Sequence, residues 1–289
     1  MQDIGLTALA PLIWGTTYIV TTEFLPPDRP LLAGLMRALP IGLLLLLVFR
    51  RLPAGVWWGR TLVLGALNIG LFFPLFFLGV YRLPGGVAAT LGAFQPFLVA
   101  LFGWPLLGLR PGRRTMLAAG AGLLGIAMLV LGPAARLDAL GVVAGLGGAA
   151  LMALATVLGK RWGRPAPVLV FTAWQLVVGG LMLVPLTLAF EGPPPPLTGA
   201  NWLGYVYLGL INTGLAYALW FRGVVRLPAT AITFLMLLSP VVAVILGFVV
   251  LGQTLSMVQI AGALLVLGSV IAGQRPGTRA VPAGAAAIS

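Results

Sequence analysis

The chain has no cysteine and no histidine, and its only acids are Asp3, Glu23, Asp28, Asp138 and Glu191. Without cysteine there is no disulfide framework, no thiolate nucleophile and no cysteine metal site. Without histidine the commonest general base and metal ligand are missing as well. Serine-type membrane proteolysis needs a base beside its hydroxyl, and the aspartyl type needs two intramembrane carboxylates. All five acids lie at or beyond the ends of apolar runs, so neither set can be assembled. The same absences disfavour zinc, haem and iron–sulfur sites. No G-x-x-x-x-G-K-[ST] phosphate loop is present to take ATP. The reading is a non-enzyme that uses no cofactor and no metal.

What the chain does have is apolar length. It is 60% hydrophobic and only 8% charged, with a mean hydropathy of +1.10. A water-soluble domain needs far more charge to cover its surface, so this is an all-α polytopic membrane protein whose first partner is lipid. The net charge of +12 and the pI near 11.7 raise the question of nucleic acid. Most of the basic residues, however, sit in short breaks between apolar runs, where they orient the chain against the membrane. No nucleic-acid partner is expected. The opening "MQDIGLTALAPLIW" lacks a basic stretch before its apolar run and is expected to be a retained first helix rather than a cleaved signal.

A hydrocarbon core of about 30 Å takes about 20 apolar residues per helix. Runs between Pro, Gly and Arg breaks give ten transmembrane spans, over residues 4–22, 31–49, 60–80, 85–107, 114–132, 140–159, 167–190, 202–221, 229–251 and 256–273. The tail 274–289, "QRPGTRAVPAGAAAIS", is small, polar and rich in Pro and Gly, and is expected to be a disordered cytoplasmic segment. Alternate loops divide the Lys and Arg residues 13 to 3, the minority being Arg29, Arg82 and Arg136. That split places both termini in the cytoplasm.

The halves repeat. At an offset of 144, Trp58 falls on Trp202, Gly65 on Gly209, Asn68 on Asn212, Gly79 on Gly223, Arg82-Leu83-Pro84 on Arg226-Leu227-Pro228, and Pro96 on Pro240. Earlier in each half an offset of 137 lays Pro30 on Pro167 and Gly42 on Gly179. Two five-helix repeats follow, over 4–132 and 138–273. Because five is odd, the second copy enters from the opposite face, as in alternating-access transporters with a site near the midplane. Charge follows the side of the membrane and not the repeat: "RRLPAGVWWGR" has three Arg, while its partner "EGPPPPLTGAN" has none.

These features, with the "PLIWGTTYIV" opening, an Arg within the second span and the "AFQP" and "LLSP" cores of spans four and nine, resemble the EamA-type branch of the drug/metabolite transporter superfamily. Within it the chain is most similar to the aromatic amino acid exporters. The resemblance implies export of amino acids or related small metabolites across a bacterial inner membrane through a cavity between the halves. With no midplane acid or histidine, the expected mode is facilitated movement down a gradient, with substrate charge met by neutral dipoles. Other solutes, drugs among them, are the alternative within transporters, and a non-transporting structural or assembly role is the alternative outside them. A strongly cationic solute is disfavoured by the absence of cavity carboxylates.

Polar groups in hydrocarbon are costly unless satisfied, so those at mid-depth are the first site candidates. Asn68 and Asn212 occupy equivalent positions; they either face a cavity or form interhelical hydrogen bonds. Gln95-Pro96 and Ser239-Pro240 form a second pair, in which each proline removes a helical hydrogen bond and frees a carbonyl. Pro84, Pro96, Pro228 and Pro240 are hinge or gate candidates, with static kinks as the alternative. The deeper aromatics Trp14, Tyr18, Phe72, Phe94, Trp174, Tyr217 and Phe234, fixed by Thr17, Thr90 and Gln175, would suit a substrate with an apolar or aromatic body. Plain bundle packing is the alternative for each. Trp57, Trp58, Trp162 and Trp202 lie at span ends and read as interfacial anchors. Arg37, seven residues from Pro30, would sit only about 10 Å deep. It is expected to snorkel outward or to pair with Glu23 or Asp28 rather than to meet a substrate carboxylate.

Overall fold

The computed structural model describes residues 2–130, 138–227, 235, 236 and 238–273. Pro228, Phe234, Arg136 and the tail 274–289 lie outside the described residues. In chain order the described helices are α1 (Gln2–Phe24), α2 (Pro30–Phe49), α3 (Trp57–Arg82), α4 (Gly85–Leu107), α5 (Arg113–Val130), α6 (Ala139–Trp162) and α7 (Val168–Phe190). They continue with α8 (Gly199–Val206 through Tyr207–Leu215 to Ala216–Arg226), α9 (Leu238–Val249) and α10 (Met257–Gly273). No strand occurs among the described residues. Six helices, α1 to α4, α6 and α7, are long and apolar enough to cross a membrane, and α9 and α10 are shorter apolar helices.

Local chemistry sets the helix ends. Pro30 opens α2, where its fixed φ suits the first turn and its missing N–H is no loss. Asp138 caps α6 by accepting from the Gly141 amide at 2.9 Å, and Thr198 and Asn201 form a reciprocal capping box on α8. The α2 start has an unusual cap from far away in sequence. The Glu191 carboxylate, at the end of α7, accepts from the amides of Leu31 (2.6 Å) and Leu32 (2.9 Å), while Arg29 donates to the Glu191 carbonyl. Gly108 ends α4 in the left-handed region, φ 70°, which suits glycine.

Four helices are interrupted near their middles. α1 turns at Thr16 between Gln2–Gly15 and Thr17–Phe24. α4 breaks at Ala93 and Phe94, so Pro96 sits in the first turn of Gln95–Leu107 rather than in the middle of a continuous helix. α3 and α8 each contain a π-helical stretch, Ala66–Leu71 and Tyr207–Leu215, a wider winding often found at functional sites. Each stretch holds one of the repeated asparagines, Asn68 or Asn212.

Packing between helices is reciprocal. α3 lies on α6 and α8 on α1; α4 lies on α6 and α9 on α1; α2 meets α7, α4 meets α9 and α5 meets α10. Glycines permit the closest approaches. A Cβ on Gly179 of α7 would lie 2.3 Å from Ile69 Cβ, and one on Gly125 of α5 would lie 2.7 Å from the Gly262 carbonyl of α10. One interior cluster gathers Leu32, Ala33, Phe73, Phe77, Leu176 and Leu208, and another gathers Val87, Leu91, Phe94, Phe97, Ile126 and Val266. The outer surface carries large apolar side chains such as Leu47, Phe190 and Met257, which suits lipid and would be unsustainable in water.

The polar ties at the helix ends join groups that the charge alternation places on one face. Arg82 pairs with Asp138 at 2.6 Å, and Asp3 with Arg222 at 2.9 Å and Arg226 at 3.2 Å. Arg60 lies over the rings of Trp57 (5.0 Å) and Trp162 (5.7 Å), and Asn201 donates to the Phe24 carbonyl at 2.8 Å. Trp58 and Trp202, related by the repeat, are both exposed at helix starts.

Candidate functional site

Between the halves lies a cavity of about 630 Å³, walled by α1, α2, α3, α4, α6, α7, α8, α9 and α10. Small residues of α4 and α6, Ala88, Ala89, Gly92, Gly145 and Ala149, form one wall, and the rings of Trp14, Tyr18, Phe72, Phe73, Phe76, Tyr217 and Trp220 form much of the rest. Trp14 meets Tyr217 edge-on at 5.4 Å, and Tyr18 meets Phe76 at 5.8 Å. Into this apolar surface project a few polar groups: Thr17, Arg37, Asn68, Gln95, Thr156, Thr172, Gln175 and Ser239. Apolar walls with sparse fixing groups are how small-molecule sites are built, and the volume falls within their usual range of roughly 300–1,000 Å³.

Of the residues expected here, Trp14, Thr17, Tyr18, Asn68, Phe72, Gln95, Gln175, Tyr217 and Ser239 line the cavity, with Pro96 and Pro240. Five others lie off it, Asn212 among them. Thr90 donates to the Gly86 carbonyl at 2.7 Å, within its own helix. Phe94, at the break in α4, turns into the cluster with Phe97 at 5.1 Å. Trp174 is buried, donating its indole N–H to the Arg51 carbonyl at 2.6 Å. Pro84 stands at the N-cap of α4, outside the lining.

The two repeated asparagines take unequal roles. Asn68 lines the cavity, donating to Gln175 Oε1 of α7 at 2.7 Å. Asn212 is fully buried behind the lining and bonds through both ends of its amide: Nδ2 donates to the Ile13 carbonyl at 2.8 Å, and Oδ1 accepts from Thr17 at 3.1 Å and from Arg37 Nη2 at 2.7 Å. Its carbonyl also accepts from Trp14 Nε1 at 2.9 Å, setting that ring against the cavity.

Arg37 departs most from expectation. It is 6% exposed, points inward and pairs with neither Glu23 nor Asp28. Its Nε donates to Thr213 Oγ1 at 3.1 Å, and its guanidinium lies 5.1 Å from the Phe73 ring centroid. The expectation that cavity dipoles are all neutral therefore fails, because a full positive charge borders the site. Counting depth along α2 missed it, since the acceptors that hold it come from α8 in the other half. Trp220, Thr156 and Thr172 were missed as well; their places in the repeat gave no cue.

The helical bundle, its apolar outer surface and this inner cavity define a multi-pass membrane transporter. The sequence profile of the EamA-like transporter family matches residues 3–131 and again residues 139–272, so the chain belongs to the EamA-like transporter family. It is 46% identical over 264 residues to Protein PecM of Dickeya dadantii (strain 3937), covering 91% of this chain and 89% of that one. It is 29% identical to the uncharacterized transporter YwfM of Bacillus subtilis (strain 168), covering 93% and 92% of the two chains. Identity is also 29% to the uncharacterized inner membrane transporter YedA of Escherichia coli (strain K12), covering 86% and 82%. A solved crystal structure superposes with a TM-score of 0.63 at 22% identity, covering 94% of this chain and 96% of that one, which is a likeness of fold.

Proposed function

We infer that the protein exports small metabolites with an apolar or aromatic body, neutral amino acids among them, across a bacterial inner membrane by alternating access. The observation that carries the reading is the cavity itself, about 630 Å³ of mostly apolar space set between the two halves and fixed by a few polar groups. The architecture proposed with it is ten crossings in two inverted five-helix repeats, with both termini inside. Reciprocal packing supports it, because a two-fold axis between the halves requires that α3 on α6 be answered by α8 on α1. The π-helical stretches at Asn68 and Asn212 and the ion pairs at both ends of the bundle support the same axis. An odd number of helices per half then places the axis in the membrane plane.

With no carboxylate or histidine in the cavity lining among the described residues, movement down the solute gradient is the mode proposed. Counterflow of labelled neutral amino acids and other small solutes in proteoliposomes, without ATP and without a pH gradient, tests the reading. Exchange of at least one solute class is expected. Flux only under an imposed pH gradient would refute the energetic part, and no flux of any solute would refute transport.

A further inference from the structure

A buried cation in a membrane protein needs a counter-charge, and Arg37 has none among the described residues. The guanidinium has five N–H donors in a rigid fork. The contacts among the described residues use two of them, one to Thr213 Oγ1 (3.1 Å) and one to Asn212 Oδ1 (2.7 Å), both neutral acceptors. Nη1 makes no hydrogen bond to any described residue, and no ion pair reaches the side chain. The five acids are committed or placed elsewhere: Asp3 to Arg222 and Arg226, Asp138 to Arg82, Glu191 to the α2 amides, with Glu23 and Asp28 at the α1–α2 end. The Phe73 ring offsets part of the charge. Arg37 as a whole is buried, yet it lines the cavity.

In the other half of the molecule the corresponding joint is made without a charge. Where α2 meets the π-helical stretch of α8 through Arg37 and Asn212, α7 meets that of α3 through Gln175 and Asn68 at 2.7 Å. Gln175 lies one residue along from the position that the 137 offset assigns to Arg37. A neutral amide makes the same joint there.

We propose that Arg37 is the anion-recognition residue of the cavity, and that the preferred substrate is an organic monoanion, carboxylate-bearing, whose apolar or aromatic body lies among Trp14, Tyr18, Phe72 and Tyr217. The inference rests on the transport reading for what enters the cavity, and it deepens that reading: the carboxylate is the recognised handle, and an ammonium group is not required. The N–H donors of the fork that meet no described residue match the two oxygens of a carboxylate.

The test is titration calorimetry on the purified full chain with three probes of one shape, 3-phenylpropionate, 3-phenylpropionamide and 3-phenylpropylammonium. A hydrogen bond to a charged group corresponds to roughly a tenfold to hundredfold preference, so the acid should bind at least about tenfold more tightly than the amide, and the ammonium most weakly. Arg37→Gln copies the Gln175 joint and should erase the preference for the acid. Asn212→Asp, which places a carboxylate against Arg37 without removing it, should erase it too and serves if Arg37→Gln does not fold. An acid that binds no better than the amide, or a preference that survives either variant, overturns the proposal. The same probes in proteoliposomes separate the two readings. A binding preference for the acid with no flux of any probe defeats transport and leaves the anion site standing, whereas flux with no preference for the acid defeats the anion site alone.

Discussion

Replacing Asn212 by leucine should be far more damaging than replacing Asn68, although the repeat makes them the same residue. Asn212→Leu deletes three side-chain hydrogen bonds from a fully buried position: the donation to Ile13 and the two acceptances from Thr17 and Arg37. Side-chain hydrogen bonds within membranes average about 0.6 kcal/mol and reach about 1.7, and one to a charged group is worth about 1.5–3. The three together come to roughly 3–6 kcal/mol, a large part of a typical stability of about 5–15. Asn68→Leu deletes one neutral bond, to Gln175 at the cavity wall, about 0.6–1.7 kcal/mol on the same scale. Unfolding of the two variants in one detergent, followed by tryptophan fluorescence, should show Asn212→Leu strongly destabilised and Asn68→Leu close to the parent. Equal losses, or a larger loss at Asn68, would refute the assignment of Asn212 as the strut and Asn68 as the lining residue.

Other consequences are as direct. Gly179→Ala would set a Cβ 2.3 Å from Ile69 Cβ and 2.7 Å from the Gly65 carbonyl, so it should lower stability by about 1–3 kcal/mol. Gly268→Ala, with nothing within 4 Å, should be neutral or slightly stabilising through helix propensity, and melting of the two variants compares them. The Asp138 carboxyl is held below its ordinary range by the Gly141 amide and then by Arg82. Because the folded form is the one depressed, its contribution is present above the unfolded value of about 4 and is lost as pH falls through the lower folded value. Melting temperature between pH 6 and 3 should accordingly fall less in Asp138→Asn than in the parent. For alternating access, a Cβ on Gly141 would lie 2.9 Å from Arg82 Cβ at one end, and one on Gly223 would lie 2.7 Å from Thr7 Cβ at the other. Cysteine pairs at 82 with 141, or at 7 with 223, in this naturally cysteine-free chain should each stop counterflow on oxidation and restore it on reduction. Full flux through either cross-linked form would contradict rocking.

The membrane character, the helical class and much of the cavity lining were legible because they depend on composition and on spacing within one helix. The Asn68 and Asn212 identity, visible at an offset of 144, marked two residues that both fall in π-helical stretches, of α3 and α8, yet it could not show their different partners. Asn68 meets Gln175 of α7, whereas Asn212 meets Arg37 of α2 together with Ile13 and Thr17 of α1. Depth counted from Pro30 treated Arg37 as if only its own helix mattered, and buried it less than the structure does. Setting Arg37 beside Gln175, each facing an asparagine, was the available signal. Thr90 and Phe94 lie off the lining for local reasons: the Thr90 hydroxyl turns to the Gly86 carbonyl of its own helix, and Phe94, at the break in α4, packs against Phe97. The π-helical winding around "ALNIGL" and "LINTGL" leaves no mark in apolar periodicity.

Identical halves related by an axis in the membrane plane would make the inward-open and outward-open forms degenerate, since exchanging the halves converts one into the other. Every place where the copies differ lifts that degeneracy and gives the empty protein a resting direction. One difference bordering the cavity is a cation in α2 set against an amide in α7. If the protein alternates as proposed, whichever form better solvates Arg37 would be the one in which the empty carrier waits. On the proposed cycle, an anionic solute that neutralised that charge would bring the two loaded forms closer in energy, while the return of the empty carrier would keep the bias. One substitution between duplicated helices would thus set both which solute is preferred and which way the carrier faces at rest.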